Sequence, residues 1–165
     1  MTLPASPDEL LARLASLGIT VERHDHPPLR TVEESRRLRG DLPGAHCKNL
    51  FLRDKKKQSW LAVTLEDREV DLVRLQRLIG SARLSFGRPE RLKEVLGIEP
   101  GAVSPFAIVN DPERRVTVVL DLAMTRLPLL NFHPLVNTQT LTIATEDLRR
   151  FLVDCGHRVT EVEFP

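Results

Sequence analysis

Two histidines flank an aspartate in His24-Asp25-His26, the group of residues with the strongest metal-ligand character in the sequence. Alternate side chains of a β-strand point to the same face, so the two imidazoles could act as a pair of metal ligands. A third ligand would have to come from elsewhere in the chain, and Pro27-Pro28 bends the backbone directly afterwards. A metalloprotein built on His24 and His26 is therefore a minor alternative, and we expect neither a metal nor another cofactor.

Two side chains have the chemistry of a nucleophile, but their surroundings do not favour that role. Cys47 follows His46, and adjacent strand residues face opposite sides, so the thiol and the imidazole cannot act together and Cys47 is expected in the core. Ser104 lacks the Gly-x-Ser-x-Gly spacing of a nucleophile elbow, and Pro105 removes a backbone N–H that such an elbow would use. The loop Gly101–Ser104 is more suited to binding a carbonyl oxygen or a water through its backbone N–H groups.

Polar residues begin a strand that is otherwise apolar. Lys48 and Asn49 precede Leu50-Phe51-Leu52, and polar groups in such a place are costly unless they meet an anion or a hydrogen-bonding ligand. A surface lysine at a strand start is the ordinary alternative. His133, which precedes Pro134, is by itself most simply a structural histidine.

The elements that must position these residues follow an irregular order. Ser6 and Pro7 begin a helix that Gly18 ends, and Thr31-Val32-Glu33-Glu34 is a capping box for a second, basic helix that ends near Gly40. The other predicted elements are helices at 70–79, 89–96 and 145–153 and strands at 19–24, 47–52, 60–65, 84–86, 116–120, 129–132, 138–143 and 157–164. This order predicts an α/β (mixed α+β) fold with a mixed, largely antiparallel sheet flanked by helices. We expect residues 1–165 to form a single domain.

Composition excludes several classes of protein. The 165 residues are 41% hydrophobic and 28% charged with a formal net charge of +1, which excludes a general nucleic-acid coat protein. Aromatic residues make up only 4%, so a broad base-stacking platform is not expected. Two cysteines favour a reducing compartment, and no apolar run approaches the ~20 residues that span a bilayer. We expect a soluble, cytoplasmic protein with no membrane partner.

Charge is nevertheless distributed unevenly along the chain. Residues 30–57 hold nine basic and four acidic residues, and residues 68–93 hold seven and three. Residues 99–165 hold six basic and nine acidic residues. The two basic segments would form a local anion-binding surface if they fold onto one face, whereas Lys55-Lys56-Lys57 by itself is most simply a hairpin tip.

Several stretches of the sequence together resemble the YbaK/ProX family of aminoacyl-tRNA editing domains, and in particular its freestanding, prolyl-tRNA synthetase-associated (PrdX-type) members. The motifs occur in family order from about His26 to the terminal helix. They are His26-Pro27-Pro28, Thr31-Val32-Glu33-Glu34, Gly44 to Asp54, Val70-Asp71-Leu72, Gly80 to Phe86, Gly97, Gly101 to Phe106 and Phe132 to Thr138.

The resemblance implies hydrolysis of the ester between a wrong amino acid and a tRNA 3′-terminal ribose, with alanine on proline tRNA as the substrate. By family analogy, Lys48 contacts the terminal adenosine or its phosphate and Asn49 hydrogen-bonds near the scissile bond. The loop from Gly101 through Val103 and Ser104 to Pro105 orients the carbonyl and the attacking water. His133 closes the pocket, Asn137 supports that corner, and Arg83 reaches the acceptor stem.

The resemblance also implies a substrate-assisted mechanism, in which the tRNA's own 2′-hydroxyl assists the water, and prolyl-tRNA synthetase as a further partner. Arg30 departs from the family, whose members commonly have an apolar residue there. Two alternatives stay open: a deacylase for cysteine or serine on a tRNA, and a non-catalytic module that binds tRNA or a synthetase. Oligomeric state does not follow from the sequence.

Overall fold

A computed structural model describes residues 2–28, 33–34, 37, 40 and 42–165 of the chain. Its helices are α1 (Pro7–Ser16), α2 (Leu72–Ile79), α3 (Pro89–Leu96), α4 (Leu122–Thr125) and α5 (Thr145–Cys155), with 3₁₀ helices at Pro100–Ala102 and Pro105–Asn110. Its strands are β1 (Glu22–Asp25), β2 (Ala45–Asp54), β3 (Ser59–Leu65), β4 (Leu84–Phe86), β5 (Val116–Asp121), β6 (Leu129–Phe132), β7 (Gln139–Ala144) and β8 (Val159–Val162). No helix in the described part of the chain is long and apolar enough to cross a bilayer.

The eight described strands form one sheet in the order β1-β7-β6-β2-β3-β5-β8, with β4 as an additional partner of β2. Four of the seven described pairings are antiparallel and three are parallel. The structure therefore confirms the predicted mixed, largely antiparallel sheet with flanking helices.

The two faces of the sheet are covered differently. Helices α1, α3 and α5 bury Leu14, Leu96 and Phe151 in the main core against one face. Helix α2 packs Leu75 against the opposite face in a smaller cluster that includes Phe164. Alternation along β2 assigns its odd-numbered residues, such as Phe51, to the main-core face and its even-numbered residues to the other.

Strand β2 has an opening along one of its edges. Strand β3 pairs with one edge of β2, whereas β6 and β4 share the other edge, at residues 45–46 and 52–54 respectively. Between these two ladders, no strand of the described chain pairs with residues 48–50 along that edge; we call this opening the β2 gap. Gly44 allows the chain before β2 to approach β6 closely at one end of the gap. It has a φ of +84°, and a Cβ there would lie 3.0 Å from the Leu129 carbonyl oxygen.

Most sequence-predicted elements are confirmed, and three details are corrected. The Ser6 capping box, the ends of α2 and α3 at Gly80 and Gly97, and the hairpin around the three lysines are present. The loop predicted at residues 101–106 contains short 3₁₀ helices, and α4 was not predicted. The helix predicted at 145–153 extends to Cys155 as α5, its N-cap is Ala144, and the Thr145 hydroxyl donates to the Leu127 carbonyl.

Thr31 and Val32 of the predicted second helix, and Arg30 before that helix, lie outside the described residues. The prediction for that helix and for the pocket wall at Arg30 therefore stays a prediction.

Candidate functional site

Lys48 and Asn49 are neighbours in β2, so the extended backbone directs their side chains to opposite faces of the sheet. Lys48 lies opposite Thr64 of β3, and Asn49 lies opposite the core residue Val63. Both side chains border the β2 gap, one from each face. The Phe51 carbonyl accepts a hydrogen bond from the Gly87 N–H along this edge (2.8 Å), so the backbone groups of Asn49, two residues away, face the gap as well.

The amide oxygen of Asn49 is buried without a hydrogen-bond partner. Its Oδ1 atom lies out of contact with solvent and accepts no hydrogen bond within the described residues. Leaving such a carbonyl unsatisfied costs about 1–3 kcal/mol. The fold therefore maintains an unused acceptor next to the gap, which is the property expected of a residue that binds a ligand.

Nearby Asn131 shows the opposite situation. Its Nδ2 donates to the carbonyls of Pro43 (2.7 Å) and Ala45 (3.3 Å), and its Oδ1 accepts from the Thr142 hydroxyl (2.6 Å). This amide is fully used in joining β2, β6 and β7. Asn131 is thus a structural amide, and Asn49, in the neighbouring strand of the same sheet, is a candidate ligand-binding amide.

A polar face extends from β2 across β6 and β7 to β1. His46 pairs with Asn131, and Lys48 lies on the same face as His46 two residues further along β2. His133 follows directly after the end of β6. At the far side, His24 Nε2 lies 3.2 Å from the Thr142 hydroxyl, and His26 Nε2 lies 2.8 Å from the Thr140 hydroxyl. His24 in β1 and His26 just after it therefore share one face as predicted, and each has a threonine partner.

His133 is held in one orientation and one tautomer. Its Nδ1 lies 2.7 Å from the Gln139 carbonyl oxygen, which only accepts, so Nδ1 carries the proton and Nε2 the lone pair. Burial lowers the pKa of His133 below 6.5; the hydrogen bond to Gln139 opposes that shift and the charge on His26 adds to it. The rings of His26 and His133 have centroids 6.0 Å apart. Near neutral pH, His133 is therefore a neutral hydrogen-bond acceptor through Nε2.

The loop between α3 and β5 approaches the end of β6 from the core side. A Cβ on Gly101 would lie 3.4 Å from Asn137 Nδ2, so this glycine and the segment after His133 are in contact. Gly101 is exposed, whereas Ala102 and Phe106 belong to the main core, and Val103 packs against it. The loop is thus anchored at one end and open at the other.

Ser104 shapes this loop. Its side chain is fully buried, and its Oγ accepts a hydrogen bond from the Phe106 N–H (3.2 Å), which caps the 3₁₀ helix that Pro105 begins. The hydroxyl is directed into its own turn, so we assign Ser104 and Pro105 to positioning the loop.

The Cys47 thiol is in the core, as the sequence predicted. It packs against the main core, and burial raises the pKa of this thiol to about 12. Since the thiolate is the reactive form, Cys47 is inert at neutral pH. The Cys155 thiol, whose pKa burial raises to about 11, is equally unreactive.

No group of three His, Cys, Asp or Glu residues within the described ranges is arranged to hold a metal ion. Lys48 and Asn49 offer an ammonium group and an unused amide acceptor beside the β2 gap, and His133 and the exposed Gly101 loop offer a neutral imidazole and backbone N–H groups beyond the end of β6. These groups can bind and orient a polar ester and a water. Arg83 stands apart, because it precedes β4 on the other side of the gap.

Sequence reasoning missed Asn131 and Gln139, which position the site without being part of it. The sequence pattern places Asn131 in a strand and assigns it no further role. Its signal is that it is a polar side chain in an otherwise apolar strand. Gln139 acts through its backbone carbonyl, which leaves no signal in the side-chain pattern.

Comparison with known proteins identifies the fold family of this arrangement. The sequence profile of the aminoacyl-tRNA editing domain matches residues 26–151, which run from the end of β1 into α5 and include all residues around the β2 gap. The chain belongs to this family.

Relatives extend over nearly the whole chain. The prolyl-tRNA editing protein ProX of Acetoanaerobium sticklandii is 36% identical over 155 residues, which are 93% of this chain and 94% of that protein. Prolyl-tRNA synthetase associated domain-containing protein 1 of Bos taurus is 38% identical over 150 residues, 88% of this chain and 87% of that protein. The resemblance found in the sequence motifs is thereby confirmed.

A solved structure confirms the fold. A crystal structure described as that of a candidate trans-editing enzyme for prolyl tRNA synthetase superposes with a TM-score of 0.72 at 22% identity. The match covers 99% of this chain and all of the other.

Proposed function

We propose that this protein is a trans-acting deacylase that hydrolyses the ester of a mischarged tRNA, with alanine on proline tRNA as its substrate. The observation that best supports the proposal is the unused acceptor of Asn49 in the part of β2 where strand pairing is interrupted. The chain also carries the family's Lys-Asn, glycine-loop and histidine motifs. Family membership supports the substrate class, and the similarity to the prolyl-tRNA editing protein ProX supports a link to proline tRNA.

In the proposed reaction, water adds to the carbonyl carbon of the aminoacyl ester. The bond between that carbon and the ribose oxygen then breaks, the ribose oxygen takes a proton, and free amino acid and tRNA leave. We assign the backbone N–H groups of the Gly101–Ser104 loop to the carbonyl oxygen, where charge develops. The ribose 2′-hydroxyl assists the water, so that the protein's contribution is positioning and charge stabilisation.

The remaining groups hold the substrate. Lys48 places a cation where the terminal adenosine or its phosphate would lie, and the Asn49 Oδ1 atom is an acceptor for the amino acid's ammonium group. His133 Nε2 is a second acceptor on the polar face, and Asn137 supports the glycine loop. The editing logic is steric: a synthetase that binds proline discriminates only weakly against a smaller residue, since a methylene is worth about 1–3 kcal/mol. A second site that excludes the larger residue supplies the rest.

A panel of tRNAs charged with alanine, serine, cysteine or proline tests the proposal. We expect fast loss of alanine, slower loss of serine and cysteine, and no loss of proline. Preference for cysteine or serine would overturn the substrate, and hydrolysis of none of the four, together with tRNA binding, would favour a non-catalytic module.

A further inference from the structure

Gly87 follows β4 and lies where the chain leaves the edge of β2. Its N–H donates to the Phe51 carbonyl (2.8 Å), one residue beyond the ladder that joins β4 to β2. The chain then enters α3, whose apolar residues pack in the main core. Gly87 therefore stands at the β4 end of the β2 gap and leads from the edge of the sheet onto its main-core face.

The aromatic ring of Phe51 lies directly against Gly87. A Cβ on this glycine would come within 2.3 Å of Phe51 Cδ2 and 2.6 Å of Cε2, whereas carbon atoms in contact are about 3.5–4.0 Å apart. Gly87 does not have a positive φ, so other residues could adopt its backbone conformation. Glycine is needed here because the ring occupies the space, and the ring is therefore turned towards the edge of β2 that carries the gap.

Phe51 shares one face of β2 with Asn49. The two residues are about 7 Å apart along the strand at ~3.3 Å per residue, and both side chains point to the main-core face. Phe51 is 6% exposed, and the Asn49 Oδ1 atom is buried without a hydrogen bond within the described residues. On this face, a hydrogen-bond acceptor lies beside the gap and an aromatic ring lies at its β4 end.

Strand β4 is fastened to the turn between β2 and β3. The Lys55 N–H donates to the Arg83 carbonyl at the start of β4 (3.0 Å). Within the turn, Asp54 Oδ1 accepts from the N–H groups of Lys56 (2.9 Å) and Gln58 (3.0 Å). The strand that leads to the glycine is thus fixed relative to β2.

Helix α3, on the other side of Gly87, is fastened to the same turn. The Arg91 guanidinium donates to Ser59 Oγ (2.8 Å) and to the Lys57 carbonyl (2.9 Å). Because the elements before and after Gly87 are both fixed, the backbone behind the Phe51 ring is held in place. The ring has no room to move back and admit a larger group.

A substrate bound by Asn49 would bring its amino-acid side chain to this ring. The proposed function assigns the ammonium group of the amino acid to Oδ1, and the side chain leaves the same Cα atom. Alanine carries one methyl group there, whereas proline carries three methylene groups that close back onto the nitrogen. A fixed ring distinguishes these two by contact, and one methylene in a defined pocket changes a rate by about 10–200-fold.

We propose that the Phe51 ring, held in position by Gly87, limits the size of the amino-acid side chain that the ester site accepts. The proposal rests on the proposed function and adds a specificity-determining residue to it. Phe51 takes no part in breaking the ester bond. It contacts the side chain of the substrate and sets the ratio between alanine and larger residues.

The test compares F51L with F164L, which makes the same change in the smaller cluster on the opposite face of the sheet. Both phenylalanines are buried, so both variants lose core packing. We would measure kcat/KM on one tRNA charged with alanine, with 2-aminobutyrate, which is one methylene larger, or with proline. Urea denaturation reports the stability of each variant.

We expect F51L to raise the ratios of 2-aminobutyrate to alanine and of proline to alanine by about tenfold or more. F164L should keep both wild-type ratios even where its stability falls. If F51L does not fold, F51M takes its place, because a flexible thioether chain of similar volume also gives way to a larger substrate. Unchanged ratios in the Phe51 variant, or an equal rise in F164L, would overturn the proposal.

Replacing the glycine should have the opposite effect. The Cβ of G87A displaces the ring from its position, so alanine hydrolysis should fall by about tenfold or more, and hydrolysis of 2-aminobutyrate further. The double variant F51L/G87A leaves room for the Cβ and should regain most of this loss, because the two residues are in contact. A double variant as slow as G87A would contradict the assignment of Gly87.

Binding of amide analogues gives a readout that needs no hydrolysis. The wild type should bind 3′-alanylamino-3′-deoxyadenosine more tightly than its prolyl counterpart, and F51L should lose this preference. If no protein hydrolyses any ester but F51L loses the preference, the deacylase is removed and the size limit stands. Hydrolysis of the alanine ester with ratios unchanged in F51L would do the reverse.

Discussion

Replacing Asn49 by alanine should lower the activity of the protein without lowering its free energy of unfolding. The Asn49 Oδ1 atom is buried without a hydrogen bond among the described residues, so its removal relieves a penalty of about 1–3 kcal/mol. The shortened side chain loses packing contacts worth about 1 kcal/mol. The free energy of unfolding of N49A should therefore lie between that of the wild type and about 2 kcal/mol above it.

Asn131 provides the matched control, because it is the same residue type in the neighbouring strand with every group in use. N131A removes the bonds to Pro43, Ala45 and Thr142. Three hydrogen bonds at about 1 kcal/mol each predict a loss of about 3 kcal/mol. The two variants should thus differ in stability by at least about 3 kcal/mol, although both are Asn→Ala.

Urea denaturation followed by tryptophan fluorescence measures both stabilities, and release of labelled alanine from charged tRNA measures activity. N49A should lose about ten- to a hundred-fold in hydrolysis, because a hydrogen bond between Oδ1 and the charged ammonium group of the substrate is worth about 1.5–3 kcal/mol. If N49A proved as destabilised as N131A, or as active as the wild type, the assignment of Asn49 as a ligand-binding amide would be refuted.

Four further predictions concern the same site. K48A should reduce hydrolysis by at least tenfold in the same assay while the free energy of unfolding changes by less than about 0.5 kcal/mol, since an edge lysine contributes little to folding. Turnover should fall as the pH drops below 6.5 through the lowered pKa of His133, because protonation of Nε2 removes the acceptor, and a pH profile of H133Q should lack this step. S104A should lose about 1 kcal/mol in urea denaturation through its lost cap and keep its turnover within about twofold; a hundred-fold loss would make Ser104 catalytic. C47A should be as active as the wild type, and iodoacetamide at neutral pH should not inhibit, because the Cys47 pKa is about 12.

The fold could be predicted from the sequence where local chemistry determines it. Ser6 and Pro7 begin α1 through a capping box, and Gly80 and Gly97 end α2 and α3 in the left-handed conformation. Strand β2 and its hairpin followed from apolar runs around the lysines. What the sequence pattern could not provide is pairing between distant strands, above all the parallel contact between β2 and β6 that creates one side of the gap.

In the candidate site, too, residue types could be predicted from the sequence, whereas the contacts between distant strands could not. The resemblance selected Lys48, Asn49, Gly101 and His133 by type, and alternation puts Lys48 and Asn49 on opposite faces of β2. That both lie where strand pairing along β2 is interrupted follows only from the structure. The neutral state of His133 depends on a backbone carbonyl of β7, which side-chain patterns do not reveal. The lysine turn was predicted as an ordinary hairpin tip, because its hydrogen bonds to Asp54 and to Arg83 are tertiary.

The central claim is that the β2 gap is the ester-binding site, and a structure with a non-hydrolysable substrate analogue tests it most directly. We would determine the complex with 3′-alanylamino-3′-deoxyadenosine, whose amide replaces the scissile ester. The account predicts the alanyl group in the β2 gap, within hydrogen-bond distance of Asn49 and the Gly101 loop, with Lys48 and His133 on its polar side. An analogue bound elsewhere, for example in the groove lined by Glu66 and Asp67 at the start of β2, would contradict it.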